Sequence, residues 1–296
     1  MSTVKFTVSY SGAESEDHQI DLYDAAQALM GFQRSLALTA HLLLNQEIIT
    51  QAPSLKGARI LASPSEEGSW KLTAVVLMTG TGIYNAMTAQ ANSPLGHLMY
   101  SLYDYVISES LGFHVDYNKS LGVLYEEARK KNPQLVPVRE AQADSLIEKC
   151  AHAIVEIHRP IVKTKTATNC KITADYGKGS RPLQIELDEE TFSYIHESFR
   201  SPVPNLFEGR ITSYNTNTFK GRIYVPALER PIAFNLEPQA QSKGSLQIIA
   251  TSLFHNALKQ YFEKGCTVYV VAFLNTSKAG ALKSLTITKV SDKPFA

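Results

Sequence analysis

Ser201-Pro202-Val203-Pro204 divides this chain into two patterns that one core cannot share. Two prolines in four residues remove two backbone donors and disfavour helix on either side. Upstream, apolar residues recur at helical spacing between a few strands; downstream, short alternating runs separated by turns take over. At 296 residues the chain is long enough for two cores. The expectation is an α+β protein: a mixed domain over residues 1–200 and a small OB-like β-barrel over residues 205–296.

The upstream part opens on Val4–Tyr10 (VKFTVSY), an alternating strand, and an acidic loop. From Asp21 to Asn45, Leu22, Leu29, Leu36 and Leu43 recur every seven residues, the spacing of one helix face. Asp21 is placed to cap that helix, and Asp24 sits in its first turn. A hairpin follows, with strands at Ala58–Ala62 and Trp70–Leu77 around SPSEEG. Helices are expected at Ile83–Ala91, Leu95–Leu111, Ser120–Lys131 (closed by Asn132-Pro133) and Val138 to about Val162, where Pro160 kinks or ends the last. Cys170–Asp175 reads as a strand and Asp188 as the cap of a short helix through Phe199.

Downstream, Glu208–Tyr214 and Phe219–Val225 flank Asn215-Thr216-Asn217-Thr218, a hairpin signal. Pro231–Leu236 is a third strand, and Leu246–Ala250 (LQIIA) reads as an extension of the sheet. A short helix at Ser252–Phe262 and strands at Cys266–Leu274 and Leu282–Val290 complete the order of a Greek-key barrel.

Charge separates along the same line. Residues 1–200 carry 18 Lys+Arg against 23 Asp+Glu, net −5, and residues 201–296 carry 11 against 5, net +6, which together give +1. A basic barrel beside an acidic domain is compatible with a polyanion partner. Cys150, Cys170 and Cys266 have no metal spacing and read as reduced, buried thiols of a cytosolic protein. The start of the chain has no basic-then-apolar leader. Lys71 to Asp104 is free of charge between its ends but is interrupted by Gly80, Gly82, Asn85, Gln90, Asn92, Ser93, Pro94 and His97, so a buried strand and helix are expected, not a membrane span.

The segment DHQIDLYDAAQALMGFQRSLALTAHLLLN (Asp17–Asn45) resembles the start of an uncharacterised bacterial family of unknown function, whose pattern runs DLYDA…AL.GF.RSL.L..H. The resemblance implies a bacterial intracellular origin, a β-rich domain to follow, and an accessory or anti-phage defence role of the kind carried near mobile elements. It transfers no catalytic residue.

Five groups of residues bear on chemistry. Arg210, Tyr214, Phe219, Lys220, Arg222 and Tyr224 mix cations and rings on paired strands, a pattern that stacks bases while cations follow phosphates; alternation puts Arg222 and Tyr224 on one face. Alternatively Phe219 and Tyr214 are core and the cations solubilise. Gln27, Arg34 and His41, seven apart, form a stripe that could grip a phosphate or carboxylate, or else a solvated face with Arg34 paired to an acid. Asp17, His18, Asp21 and Asp24 sit in a loop and cap and are not read as a metal site. Thr79-Gly80-Thr81-Gly82 is a tight turn or a weak phosphate loop. Arg159, Lys163, Lys165, Lys171, Lys178 and Arg181 form a second basic patch, explained as a solvated helix end.

No GxSxG, HExxH or P-loop motif is present, so the expected function is non-enzymatic and without a cofactor. The barrel is read as engaging single-stranded nucleic acid with steep salt dependence, and the first domain as an assembly or sensing unit, with self-association into a homo-oligomer also in view. The alternatives are a protein-interaction subunit of an anti-phage system, with a partner encoded nearby, and a small-molecule or enzymatic site at Arg34 and His41.

Overall fold

A computed structural model of the protein describes residues 2–49, 51–63, 70–78, 94–131, 136–177, 179–277 and 280–295. The expected SPSEEG turn, the Thr79–Gly82 loop, the 83–91 helix, the Asn132-Pro133 stop and Lys178 lie outside the described residues. The chain divides into two compact units, Met1–His196 and Glu197–Ala296.

The first unit is built on β1 (Ser2–Ser11), whose alternation buries Val4, Phe6, Val8 and Tyr10 on one face. It lies at the centre of an antiparallel sheet with β2 (Ala58–Ser63), β3 (Lys71–Met78), β4 (Asn169–Asp175) and β5 (Ser180–Pro182), in the order β2-β3-β1-β4-β5. In register, Phe6 stands between Ala74 and Ala174, so small residues flank the large ring.

Helices cover this buried face. α1 (Leu22–Asn45) is capped as expected, Asp21 accepting from the Asp24 amide at 2.9 Å. Its later half, Ser35 to Leu44, is buried all round, which makes it the central helix of the unit. α2 (Pro94–Ser110) brings Tyr103 edge-on to Phe6 (5.1 Å between centroids) and its hydroxyl to Ser35 (2.9 Å). After α3 (Val123–Lys131) comes α4 (Glu140–Ile157), whose last carbonyl accepts from the Tyr10 hydroxyl at 2.7 Å. The chain breaks at His158, two residues before Pro160, and resumes as α5 (Arg159–Val162); α6 (Glu189–His196) closes the unit. Gly31 sets the spacing of α1 and α4, because a Cβ there would lie 2.3 Å from the Ala153 carbonyl oxygen. Each large aliphatic side chain in such a core contributes about 1.5–3 kcal/mol by leaving water. Among the described residues no helix is long and apolar enough to cross a membrane.

The second unit is the expected barrel. After the two-residue β6 (Phe199–Arg200) come β7 (Asn205–Asn215), β8 (Lys220–Val225), β9 (Arg230–Leu236), β10 (Thr267–Thr276) and β11 (Leu282–Ser291). The last five close in the order β7-β8-β9-β11-β10 and back to β7, with β9 and β11 parallel and every other pair antiparallel. Ile211, Ile223, Phe234, Val268, Val270, Leu285 and Ile287 fill the interior. The first hairpin turns on Asn215, whose side chain accepts from the amides of Asn217 (2.9 Å) and Thr218 (3.3 Å).

One expected element changes type. LQIIA is not a strand but part of α7 (Lys243–Ala257), the helix between β9 and β10. The Ser242 hydroxyl caps it by accepting from the Ser245 amide (3.2 Å), and Leu246, Ile249 and Leu253 recur at helical spacing against the barrel core. Ser252 ties the helix in place: its buried hydroxyl accepts from the Ile211 amide (2.9 Å) and donates to the Cys266 carbonyl.

Candidate functional site

On the outer wall of the barrel, Arg210 of β7 stands directly opposite Tyr224 of β8. The Arg210 guanidinium lies 4.0 Å from the Tyr224 ring centroid and 4.7 Å from that of Tyr261, in the turn between α7 and β10. Its Nε donates to Asn256 Oδ1 at 3.0 Å. Two rings and an amide therefore fix the cation's position; one such ring contact is worth about 0.5–1 kcal/mol at an exposed site. Nearby Cys266 is buried, and burial pushes its thiol upward against the pull of Arg210.

The segment that supplies Tyr261 is unusual for a surface. Phe254 is 59% exposed, Leu258 53%, Tyr261 42% and Phe262 fully exposed. Phe254 and Leu258 are one helical turn apart at the end of α7. Lys259, with φ of 57°, then turns the chain, and the next residues have no barrel position to fill. Lys259 and Lys264 are exposed in the same segment, with Glu263 between them. Phe254, Tyr261 and Phe262 are exposed rings of one short segment that also carries two ammonium groups, and Tyr261 meets the fixed guanidinium; the segment is suited to planar stacking with contact to anions and to apolar contact with a partner surface.

The structure divides the six barrel residues singled out in the sequence, Phe219 packing against the barrel core. Arg210 and Tyr224 meet. Tyr214 does not join them: a bulge between Ile211 and Ser213 shifts the alternation by one, and the Tyr214 ring turns inward to stack on Phe234 at 6.3 Å. Burial pushes its phenol upward, and its hydroxyl has no partner among the described residues. Lys220, exposed, pairs across to Asn235 near the hairpin turn, and Arg222, although on an outward position opposite Ala233, is itself buried. Elsewhere on the wall Arg200 covers the Phe273 ring at 3.8 Å and binds Glu237 at 2.7 Å. Asn235, Asn275, Ser284 and Thr286 form a hydrogen-bonded ladder with distances of 2.9–3.1 Å.

The α1 stripe does not present one surface. Gln27 is half-buried, Arg34 exposed and His41 buried, because the helix passes from the edge of the unit into its centre. His41 Nδ1 accepts from the Lys56 amide at 3.2 Å, which leaves the proton on Nε2; burial lowers its basicity. Asp24 and Arg159 form an acid–guanidinium pair in this region, at 2.9 Å, with Arg159 also 5.3 Å from the Tyr23 ring centroid. Arg159 of the second basic patch is thus structural, and Lys171 pairs with Glu186 at 2.7 Å. Among the described residues no group of three or more His, Cys, Asp and Glu side chains is placed to hold a metal.

Tyr261, Phe254, Phe262 and Asn256 escaped the sequence reading. Large rings crowded into a lysine-bearing turn, where no strand or helix face can bury them, were the available signal.

Two family models match the chain: a domain of unknown function (DUF7946) over residues 6–196, and a family of unknown function (DUF7947) over residues 204–291. Neither a curated protein nor a solved structure matches it.

Proposed function

The chain belongs to the DUF7946 family of domains of unknown function, and from that premise we propose that it is a non-enzymatic binding protein whose barrel engages single-stranded nucleic acid. The α/β unit then serves assembly or sensing. One observation carries this reading: Arg210, held between Tyr224 and Tyr261, sits on the outer wall of a closed barrel next to exposed rings. The chain from residue 201 onward supplies 11 cations against 5 acids, so the surroundings favour a polyanion. Barrels with this strand order use their outer wall for oligonucleotides, an analogy of fold that adds support.

The test is fluorescence anisotropy of a labelled oligothymidylate titrated with the full chain at low salt. Binding is expected, and Arg210→Gln combined with Tyr224→Leu weakens it roughly tenfold or more by removing a cation and a ring. No anisotropy change at low salt overturns the reading.

A further inference from the structure

We infer that the barrel takes its strand through unstacked bases laid on Phe254 and Phe262, with few phosphate contacts; this rests on the proposed function and specifies how the ligand is held. The two rings differ from Tyr224 and Tyr261 in being uncommitted to the Arg210 stack. Phe262 is fully exposed, and Phe254, 59% exposed, lies edge-to-face with His255 at 5.4 Å. Both are therefore open to a planar partner. A base offers such a plane only when it has left a duplex, where its faces are covered by its neighbours.

The segment from Phe254 to Lys264 carries two cations, although the unit as a whole is basic. Arg210 lies against two rings with its Nε on Asn256, so its terminal nitrogens are the part that would meet a phosphate. Lys259 and Lys264 are the exposed ammonium groups of the segment, and Glu263 between them offsets part of their charge. Three cations predict a shallow salt dependence. At about −0.7 per phosphate on a single strand, the slope of log K against log salt is about −2. This is shallower than the steep dependence expected from the charge of the whole unit, of whose cations Arg222 is buried.

Three labelled probes of equal length test this with the full chain: oligothymidylate, an abasic deoxyribose-phosphate strand, and a duplex of mixed sequence. The inference expects oligothymidylate to bind at least tenfold more tightly than either of the others, with a slope of about −2. Phe262→Ala and Phe254→Ala each weaken it roughly tenfold with the slope unchanged; both side chains are exposed, so the fold survives their removal. An abasic strand or duplex bound as tightly as oligothymidylate overturns the stacking inference and leaves the nucleic-acid reading standing. So does a slope of about −5 or steeper. Absence of binding to all three at low salt removes both.

Discussion

His158 offers a test of how the first unit is held together, because its ring is enclosed and still hydrogen-bonded at both nitrogens. Nδ1 faces the Ile154 carbonyl at 2.8 Å and must carry the proton, while Nε2 faces Thr191 Oγ1 at 3.1 Å. Thr191 is itself fixed by Asp188, whose amide donates to its hydroxyl oxygen at 2.8 Å. The ring thus joins α4, α5 and α6 as a neutral group. Burial lowers its pKa from 6.5 to about 4, desolvation of the cation outweighing the Ile154 carbonyl and the Asp188 charge. A folded pKa below the unfolded one means that the unfolded chain binds the proton more readily. The stability is fully present above about pH 6.5 and is lost as pH falls toward 4. Linkage puts the loss at about 2 kcal/mol at pH 5 and about 3 kcal/mol at its limit. Trp70 is the sole tryptophan of the chain and packs on Tyr10 in the first unit (5.6 Å), so its fluorescence during urea unfolding reports on that unit. His158→Gln is expected to be less stable at pH 7.5 yet to lose about 2 kcal/mol less than the natural protein between pH 7.5 and pH 5. Carboxylates and His41, whose basicity is also lowered, act in both proteins and cancel in the difference. If the two proteins lose stability in parallel over that range, His158 is not held neutral by burial.

Two further perturbations read the packing directly. Gly31→Ala would gain about 1 kcal/mol in an ordinary helix interior; here its Cβ meets the Ala153 carbonyl, and a net loss of about 2 kcal/mol in Trp70-monitored unfolding is expected. Unchanged or raised stability would show that α1 and α4 separate at little cost. Ser252→Ala leaves the Ile211 amide and Cys266 carbonyl without their buried partner, so hydrogen exchange across 205–215 should accelerate by a factor consistent with about 2–3 kcal/mol. Unaltered exchange would show that water or another group replaces the hydroxyl.

How much of this was legible in the sequence depends on whether a residue's environment is set locally. β1 and α1 were readable because Val4-Phe6-Val8-Tyr10 alternates and Asp21 caps a long periodic run. The barrel order was readable because short strands and turns succeed one another with one helix between. LQIIA misled because Ile248 and Ile249 are strand formers, and the Ser242 cap that decides the matter lay outside the run. Tyr214 stayed open between wall and core for a different reason: the bulge between Ile211 and Ser213 comes from the pairing with β8 and reverses which face each later residue occupies. The seven-residue stripe of Gln27, Arg34 and His41 was sound as helical geometry, but helical phase says nothing of depth, and α1 runs from the surface inward.

The position of β11 bears on how the barrel fails. It is bonded on one side to β9 and on the other to β10, strands that do not pair with each other. Were it to peel away, two rows of unpaired amides and carbonyls would open at once, and Leu285 and Ile287 would leave the interior together. A ring joined in this way has no partial opening that spares its centre, so loosening of this strand and melting of the barrel are a single event.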